Sequence, residues 1–172
     1  TGSAWGDWAL YTDSPLRAFE GELGVQQPVG FWDPLGLSAN GDVEQFKRRR
    51  EVEIKHGRVA MLACIGYIVP EYFRWPGLIS PTAKLSFADI PNGFGALSTV
   101  PGAGWLQMIT FAGILEVQNL GGEPTEYAGD YNGYGALGIP GAKGIDNKEL
   151  KEKKLNSEIA NGRLAMMAIT GM

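Results

Sequence analysis

"EVEIKHGRVAMLACIGY", residues 51–67, returns further along the chain as "NSEIANGRLAMMAITGM", residues 156–172. Between Glu53 and Gly66 the two copies agree at eight of fourteen positions: Glu, Ile, Gly, Arg, Ala, Met, Ala and Gly. Each copy sets a carboxylate and an arginine at the head of an otherwise apolar helical run. At about 100° per residue, Glu53 and Arg58 stand about 140° apart and do not form an i,i+4 pair. On this count neither charge is satisfied by its own helix, and stranding it in an apolar setting is expensive. Two copies related by an approximate two-fold offer a solution, with Arg58 reaching Glu158 and Arg163 reaching Glu53. Gly57, Ala60, Ala63 and Gly66, with Gly162, Ala165, Ala168 and Gly171, would let such helices cross closely. The competing reading is a soluble helical pair with surface ion pairs.

Working outward, the helix of the first copy is expected over about 43–73, starting after Asp42. A second, "AGWLQMITFAGILEVQ", is expected over about 103–118 and a third over 147–172, opened by a capping box of Asp146 and Glu149. The proline-rich stretch 74–102 and the Gly-rich stretch after residue 120 read as loops. The repeat reaches into the loops as well. "LGL" at Leu35–Leu37 precedes Glu53 much as "LGI" at Leu137–Ile139 precedes Glu158, at separations of 18 and 21 residues. The duplicated unit is therefore loop plus helix.

A chain of 172 residues with 44% apolar content amounts to one domain, taken as 1–172, with enough apolar matter for a core. The net charge of −4 does not suggest a nucleic-acid partner. One cysteine, Cys64, excludes an internal disulfide. The single histidine, His56, confines any His-based chemistry to one location. No targeting segment is read at the start, and the apolar run is expected to continue past Met172. "GYGALG" at Gly133–Gly138 has no strand before it, and Pro140 stands where a helix should begin, so it is rejected as a nucleotide fingerprint. "GAKG" at Lys143 lacks the Ser or Thr of a phosphate loop.

No segment reaches about 18 uncharged apolar residues, and hydropathy alone reads as soluble. Charge placement argues otherwise. Lys47, Arg48, Arg49 and Arg50 precede the first helix, and Lys148, Lys151, Lys153 and Lys154 precede the third. Three antiparallel spans put both clusters on one side, while 74–102 carries only Arg74 and Lys84. Trp5, Trp8, Trp75 and Trp105 fit interfacial anchoring or ordinary packing equally. His56 and its counterpart Asn161 face away from the arginines. With no second ligand near, each suits a metal already held in a macrocycle better than a bare ion.

"EIKHGRVAML" and "EIANGRLAMM" resemble the chlorophyll-binding signatures of the first and third membrane helices of the light-harvesting complex superfamily. "GFWDPLGL" resembles that family's carotenoid-contacting segment. The resemblance runs from about Phe19 to Met172. Within the family, "FEGELGVQQPVGFWDPLGLS" and "KRRREVEIKHGRVAMLACIGYIVPEYFRWPG" look most like the chlorophyll a/c branch. Dinoflagellate peridinin-binding antennas come first, with fucoxanthin-binding antennas next.

The resemblance implies an all-α membrane protein of three spans, the first and third crossing about a pseudo-two-fold. It implies a light-harvesting antenna of the chloroplast thylakoid membrane, multi-pass, that performs no bond chemistry. Glu53 and Glu158 then look like chlorophyll magnesium ligands supported by Arg163 and Arg58. His56 and Asn161 look like the next ligands, and Gln107 and Glu116 like those of the middle helix, although their nine-residue spacing departs by one from the chlorophyll a/b branch. Phe31, Trp32, Asp33, Pro34, Leu35, Gly36 and Leu37 would contact carotenoid. The implied cofactors are chlorophyll a, chlorophyll c and carotenoid, with peridinin and diadinoxanthin ahead of fucoxanthin; magnesium enters only within chlorophyll. The implied partners are photosystem core subunits, other antenna proteins and thylakoid lipids. A photoprotective, energy-dissipating member is the alternative within the family. A transporter using intramembrane carboxylates is the alternative outside it, against which the paired arginines argue.

Overall fold

The first long helix, α1 (Val43–Tyr72), opens where the Asp42 carboxylate accepts hydrogen bonds from the Glu44 and Gln45 amides. Such a cap is worth about 1 kcal/mol. Its 30 residues rise about 45 Å. It stops where Pro70 withdraws a backbone donor from the last turn and Phe73 turns extended. Arg74 then closes the end. Its Nε donates to the Pro70 carbonyl at 3.3 Å, while its Nη1 donates to the Ala88 and Ile90 carbonyls at 2.5 and 2.8 Å.

The computed structural model describes residue 19, residues 21–120, 128–129, 145 and 147–172. The expectations placed on Trp5, Trp8, Gly133–Gly138, Leu137–Ile139, Pro140, Lys143 and Asp146 lie outside these residues.

The stretch 74–102, read from sequence as a loop, holds short regular elements. β1 (Leu78–Ser80) pairs antiparallel with β2 (Leu85–Ser86), Leu78 opposite Ser86 and Ser80 opposite Leu85. Two 3₁₀ turns, Phe87–Asp89 and Gly93–Gly95, and a helical turn, Ala96–Thr99, lead on to α2 (Gly102–Leu120). Strands of two and three residues are too short to leave an alternating pattern. At the start of α2 the Pro101 carbonyl accepts from the Gly104 and Trp105 amides at 2.8 and 3.4 Å.

The third long helix, α3 (Lys148–Gly171), is capped by Asn147, whose side chain accepts from the Leu150 amide at 3.3 Å. Glu149 sits in the first turn of this helix.

α1 and α3 form the principal interhelical packing among the described residues. Their buried seam is the same in both copies: Ile54, Gly57 and Ala60 on α1, and Ile159, Gly162 and Ala165 on α3. A Cβ on Gly57 would stand 2.9 Å from the Gly162 Cα, so this crossing admits glycine alone. The other half of the small-residue pattern is not used there. Gly66 and Gly171 have nothing within 4 Å of a would-be Cβ, and Ala63 is exposed. Beyond the glycine contact the two helices meet through larger side chains, Cys64 Sγ donating to the Ala165 carbonyl at 3.5 Å and Tyr67 Oη to the Met172 carbonyl at 3.4 Å.

Apart from this seam, Phe19 is the buried apolar residue of the described chain; it stacks on Phe46 with ring centroids 4.1 Å apart. Large apolar side chains point outward along all three helices, among them Leu62, Ile65, Leu106, Ile109, Phe111 and Met167. Among the described residues no single helix is long and apolar enough to cross a membrane: the first halves of α1 and α3 are heavily charged, and α2 does not reach the measure alone. Gly93–Thr99 and Gly102–Val117, bent by 110°, reach that measure only as a pair.

Candidate functional site

Arg58 Nε donates to Glu158 Oε1 at 2.5 Å, and Arg58 Nη1 donates to the Gly129 carbonyl at 2.7 Å. Arg163 mirrors it, with Nε on Glu53 Oε1 at 2.6 Å and Nη1 on the Gly24 carbonyl at 2.7 Å. Each guanidinium is thus held between a carboxylate and a loop carbonyl of the opposite copy. Gly24 and Gly129 both have positive φ, at +89° and +75°. A Cβ on Gly129 would lie 2.9 Å from Ile54 Cγ2; one on Gly24 would lie 3.2 Å from Ile159 Cδ1. The backbone can reach the arginines only because these positions are glycine.

Sequence reasoning missed both glycines. The signal was available: Gly24 and Gly129, Glu53 and Glu158, Gly57 and Gly162, and Arg58 and Arg163 are each separated by 105 residues. The shifted spacing of "LGL" and "LGI" hides this register.

Glu53 also corrects the expectation that its charge finds no partner on its own helix. Arg50, three residues earlier, donates to Glu53 Oε2, so both carboxylate oxygens are engaged by guanidinium groups. Glu158 has Arg58 on Oε1. The position equivalent to Arg50 is Leu155.

The remaining expected ligands stand on outer faces. His56 is exposed, with Nδ1 2.8 Å from the Val52 carbonyl. A carbonyl only accepts, so Nδ1 carries the proton and the Nε2 lone pair is left to bind a metal. Asn161 is exposed and its Nδ2 donates to Ser157 Oγ at 3.3 Å, leaving Oδ1 as the Lewis base. On α2, Glu116 Oε2 accepts from Lys55 Nζ of α1 at 2.6 Å. Gln107 is exposed and, nine residues earlier, lies about 180° around the helix from Glu116.

Asp33 shapes the segment Phe31–Leu37. Its carboxylate accepts from the Leu37 and Ser38 amides at 3.0 and 2.7 Å, and its carbonyl accepts from the Gly36 amide. The turn leaves Trp32 and Leu35 72% and 80% exposed, while Phe31 packs near Phe19. Trp32 and Leu35 are thus two exposed apolar side chains on a turn closed by Asp33.

Among the described residues no three His, Cys, Asp or Glu side chains converge on one point. Each candidate ligand is a single Lewis base beside uncovered apolar surface. A donor set of this kind fits a magnesium tetrapyrrole, whose ring supplies the other ligands and whose face needs an apolar bed.

Comparison with known proteins agrees with this chemistry. The family described as Chlorophyll A-B binding protein matches residues 19–172. Fucoxanthin-chlorophyll a-c binding protein F, chloroplastic, of Macrocystis pyrifera is 43% identical over 173 residues, covering 99% of this chain and 81% of its own. Fucoxanthin-chlorophyll a-c binding protein B, chloroplastic, of Phaeodactylum tricornutum is 47% identical over 161 residues, covering 90% and 77%. These relatives are fucoxanthin proteins, and they do not support the expected precedence of peridinin and diadinoxanthin. With its match spanning every described residue, the chain belongs to the chlorophyll A-B binding family, a family of light-harvesting pigment proteins rather than enzymes.

Proposed function

We propose that this chain is a thylakoid antenna that binds chlorophyll a, chlorophyll c and fucoxanthin and passes excitation to a photosystem. The observation that carries the reading is the pair of reciprocal clamps, Arg58 on Glu158 and Arg163 on Glu53, set among outward apolar side chains. In an apolar layer an unpaired carboxylate is costly, whereas a carboxylate neutralised by a guanidinium keeps a lone pair for a metal. Bound chlorophyll would supply the light absorption and the excitation transfer. The protein's part is to hold the ligand atoms at fixed positions: Glu53, His56, Glu158, Asn161, Gln107 and Glu116 for magnesium. Phe31 to Leu37 would bed the carotenoid.

The three long helices would span the membrane, with α1 and α3 crossing about an approximate two-fold. Their charged N-terminal turns would lie at one surface, where Lys47–Arg50 and Lys148–Lys154 gather, in keeping with a positive-inside arrangement. The hydropathy deficit of each helix is then made good by ion pairing and by pigment covering the apolar side chains. Photosystem subunits, neighbouring antennas and thylakoid lipids are the proposed partners.

The test is purification from the native membrane in mild detergent, followed by an absorption spectrum and pigment chromatography. Chlorophyll a, chlorophyll c and fucoxanthin are expected together. A colourless, folded monomer that needs no detergent overturns the reading, and peridinin in place of fucoxanthin overturns its carotenoid part.

A further inference from the structure

The middle helix carries a carboxylate that the two-copy clamp does not serve. Glu116 Oε2 accepts from Lys55 Nζ at 2.6 Å, linking α2 to α1 across 61 residues of chain. Oε1 has no hydrogen-bond partner among the described residues. Both side chains are about half exposed to the surroundings, where water would make such a pair worth little. The surroundings, however, are apolar. Ile109 and Val117 on α2 and Val59 on α1 all point outward. One turn before Glu116 stand Ala112 and Gly113, and nothing lies within 4 Å of a Cβ built on Gly113. A side chain on a helix leans over the turn before its own Cα, so the carboxylate leans over this flat, open strip.

We propose that Lys55 is a positioning residue for a pigment site on α2. It neutralises and orients Glu116, so that Oε1 would hold the magnesium of a tetrapyrrole, with the open surface at Ala112 and Gly113 leaving room for the ring. This inference rests on the pigment-binding reading above. The division of labour repeats that of Arg58 and Arg163, with a cation from one helix balancing a carboxylate on another. Arg58 and Arg163 each place one nitrogen on a single carboxylate oxygen, as Lys55 does on Glu116. Without Lys55 the carboxylate would face the apolar layer as an uncompensated charge.

The experiment refolds the full chain with chlorophyll a, chlorophyll c and fucoxanthin, and counts pigment per chain. Lys55→Met should lose about one chlorophyll, since removing the outer partner of a ligand costs about 10–100-fold in metal affinity. Lys55→Arg should retain that chlorophyll with a shifted absorption band. The deciding variant is Lys55→Met with Glu116→Gln, whose neutral amide oxygen needs no counter-charge and should recover the lost pigment. Lys55→Met with Glu116→Leu also removes the stranded charge but offers no oxygen, so a mere tether would recover there as well, whereas a ligand recovers only with Gln. Full pigment content in Lys55→Met, or a double variant no better than Lys55→Met, overturns the proposal. A wild-type chain that takes up no chlorophyll sinks the antenna reading instead.

Discussion

The α1 and α3 copies of the repeat are built alike where they touch and differently where they do not. At the crossing, Ile54, Gly57 and Ala60 correspond to Ile159, Gly162 and Ala165, and all six are buried. The arginines and their glycine carbonyls correspond as well, at 2.7 Å on both sides. Away from the crossing the copies part. Arg50 adds a second guanidinium to Glu53, where Leu155 leaves Glu158 with Arg58. His56 faces outward in one copy and Asn161 in the other. Asn156 Oδ1 accepts from the Gly24 amide at 2.7 Å, tying the first loop to α3 at a second point, and the position matching Asn156 on α1 is Glu51. Duplication has kept the joint and freed the outer faces, so two sites sharing one scaffold can differ in ligand and in local charge.

The asymmetry at Arg50 is open to the largest test. Arg58→Leu strands Glu158; the two side chains are 35% and 28% exposed, so the cost should stay below that of breaking a fully buried pair, about 3–5 kcal/mol. Arg163→Leu leaves Glu53 beside Arg50 and should be milder, assembling with reduced stability where Arg58→Leu fails. Removing Arg50 and Arg163 together should bring the α1 site down to the level of Arg58→Leu. Refolding yield and thermal melting of the pigmented protein read the order. With the carboxylates changed to Gln to keep an oxygen, a double-mutant cycle should give a coupling above about 1 kcal/mol for positions 58 and 158 and near zero for 58 and 53. Equal effects of Arg58→Leu and Arg163→Leu would mean that Arg50 contributes nothing to Glu53.

A smaller effect is expected at the outer ligands. His56→Ala should lose about one chlorophyll with little change in helix content, because the side chain is exposed and its Nδ1 bonds a carbonyl of its own helix. His56→Asn installs the side chain that α3 carries at the same place, and should keep the pigment with an altered absorption band. Pigment counting with difference spectra checks both. Unchanged stoichiometry in His56→Ala would return His56 to a purely structural role.

What the sequence disclosed follows the same division. The reciprocal pairing was legible, because an i,i+5 spacing of opposite charges denies each helix its own partner and the repeat supplies the other one. Arg50 was not, because it sat within a basic run that reads as flanking charge. Gly24 and Gly129 were obscured by the three-residue change of register between the loops. Lys55 and Glu116 belong to helices with no internal relationship, and their meeting depends on how α2 is placed, which no periodicity encodes. The small-residue pattern was legible but overextended: a seam of glycine and alanine permits close approach along its length, and the crossing uses only part of it.

The connection between the copies is the control for this comparison, since it lies outside the duplicated unit and should respond to none of these changes. Its own weak point is Asp89. The Ser86 hydroxyl donates to Asp89 Oδ2 at 2.6 Å and the Ser86 amide donates at 3.3 Å, and these bonds hold the carboxyl below the usual carboxylate range. A folded-state value below the unfolded one, about 3.9 for a free aspartate, stabilises the turn above that pH and is lost as pH falls through the folded value. The 3₁₀ turn Phe87–Asp89 should therefore be protected at neutral pH and loosen only in acid below the ordinary carboxylate range. Hydrogen exchange at the Ser86 amide is the measurement. Asp89→Asn should remove the acid dependence while leaving the α1–α3 clamp and the pigment count untouched. Since the carboxyl is fully exposed, the change should be the smallest of the series. An altered pigment count in Asp89→Asn would tie the connecting segment to the repeat and end its use as a control.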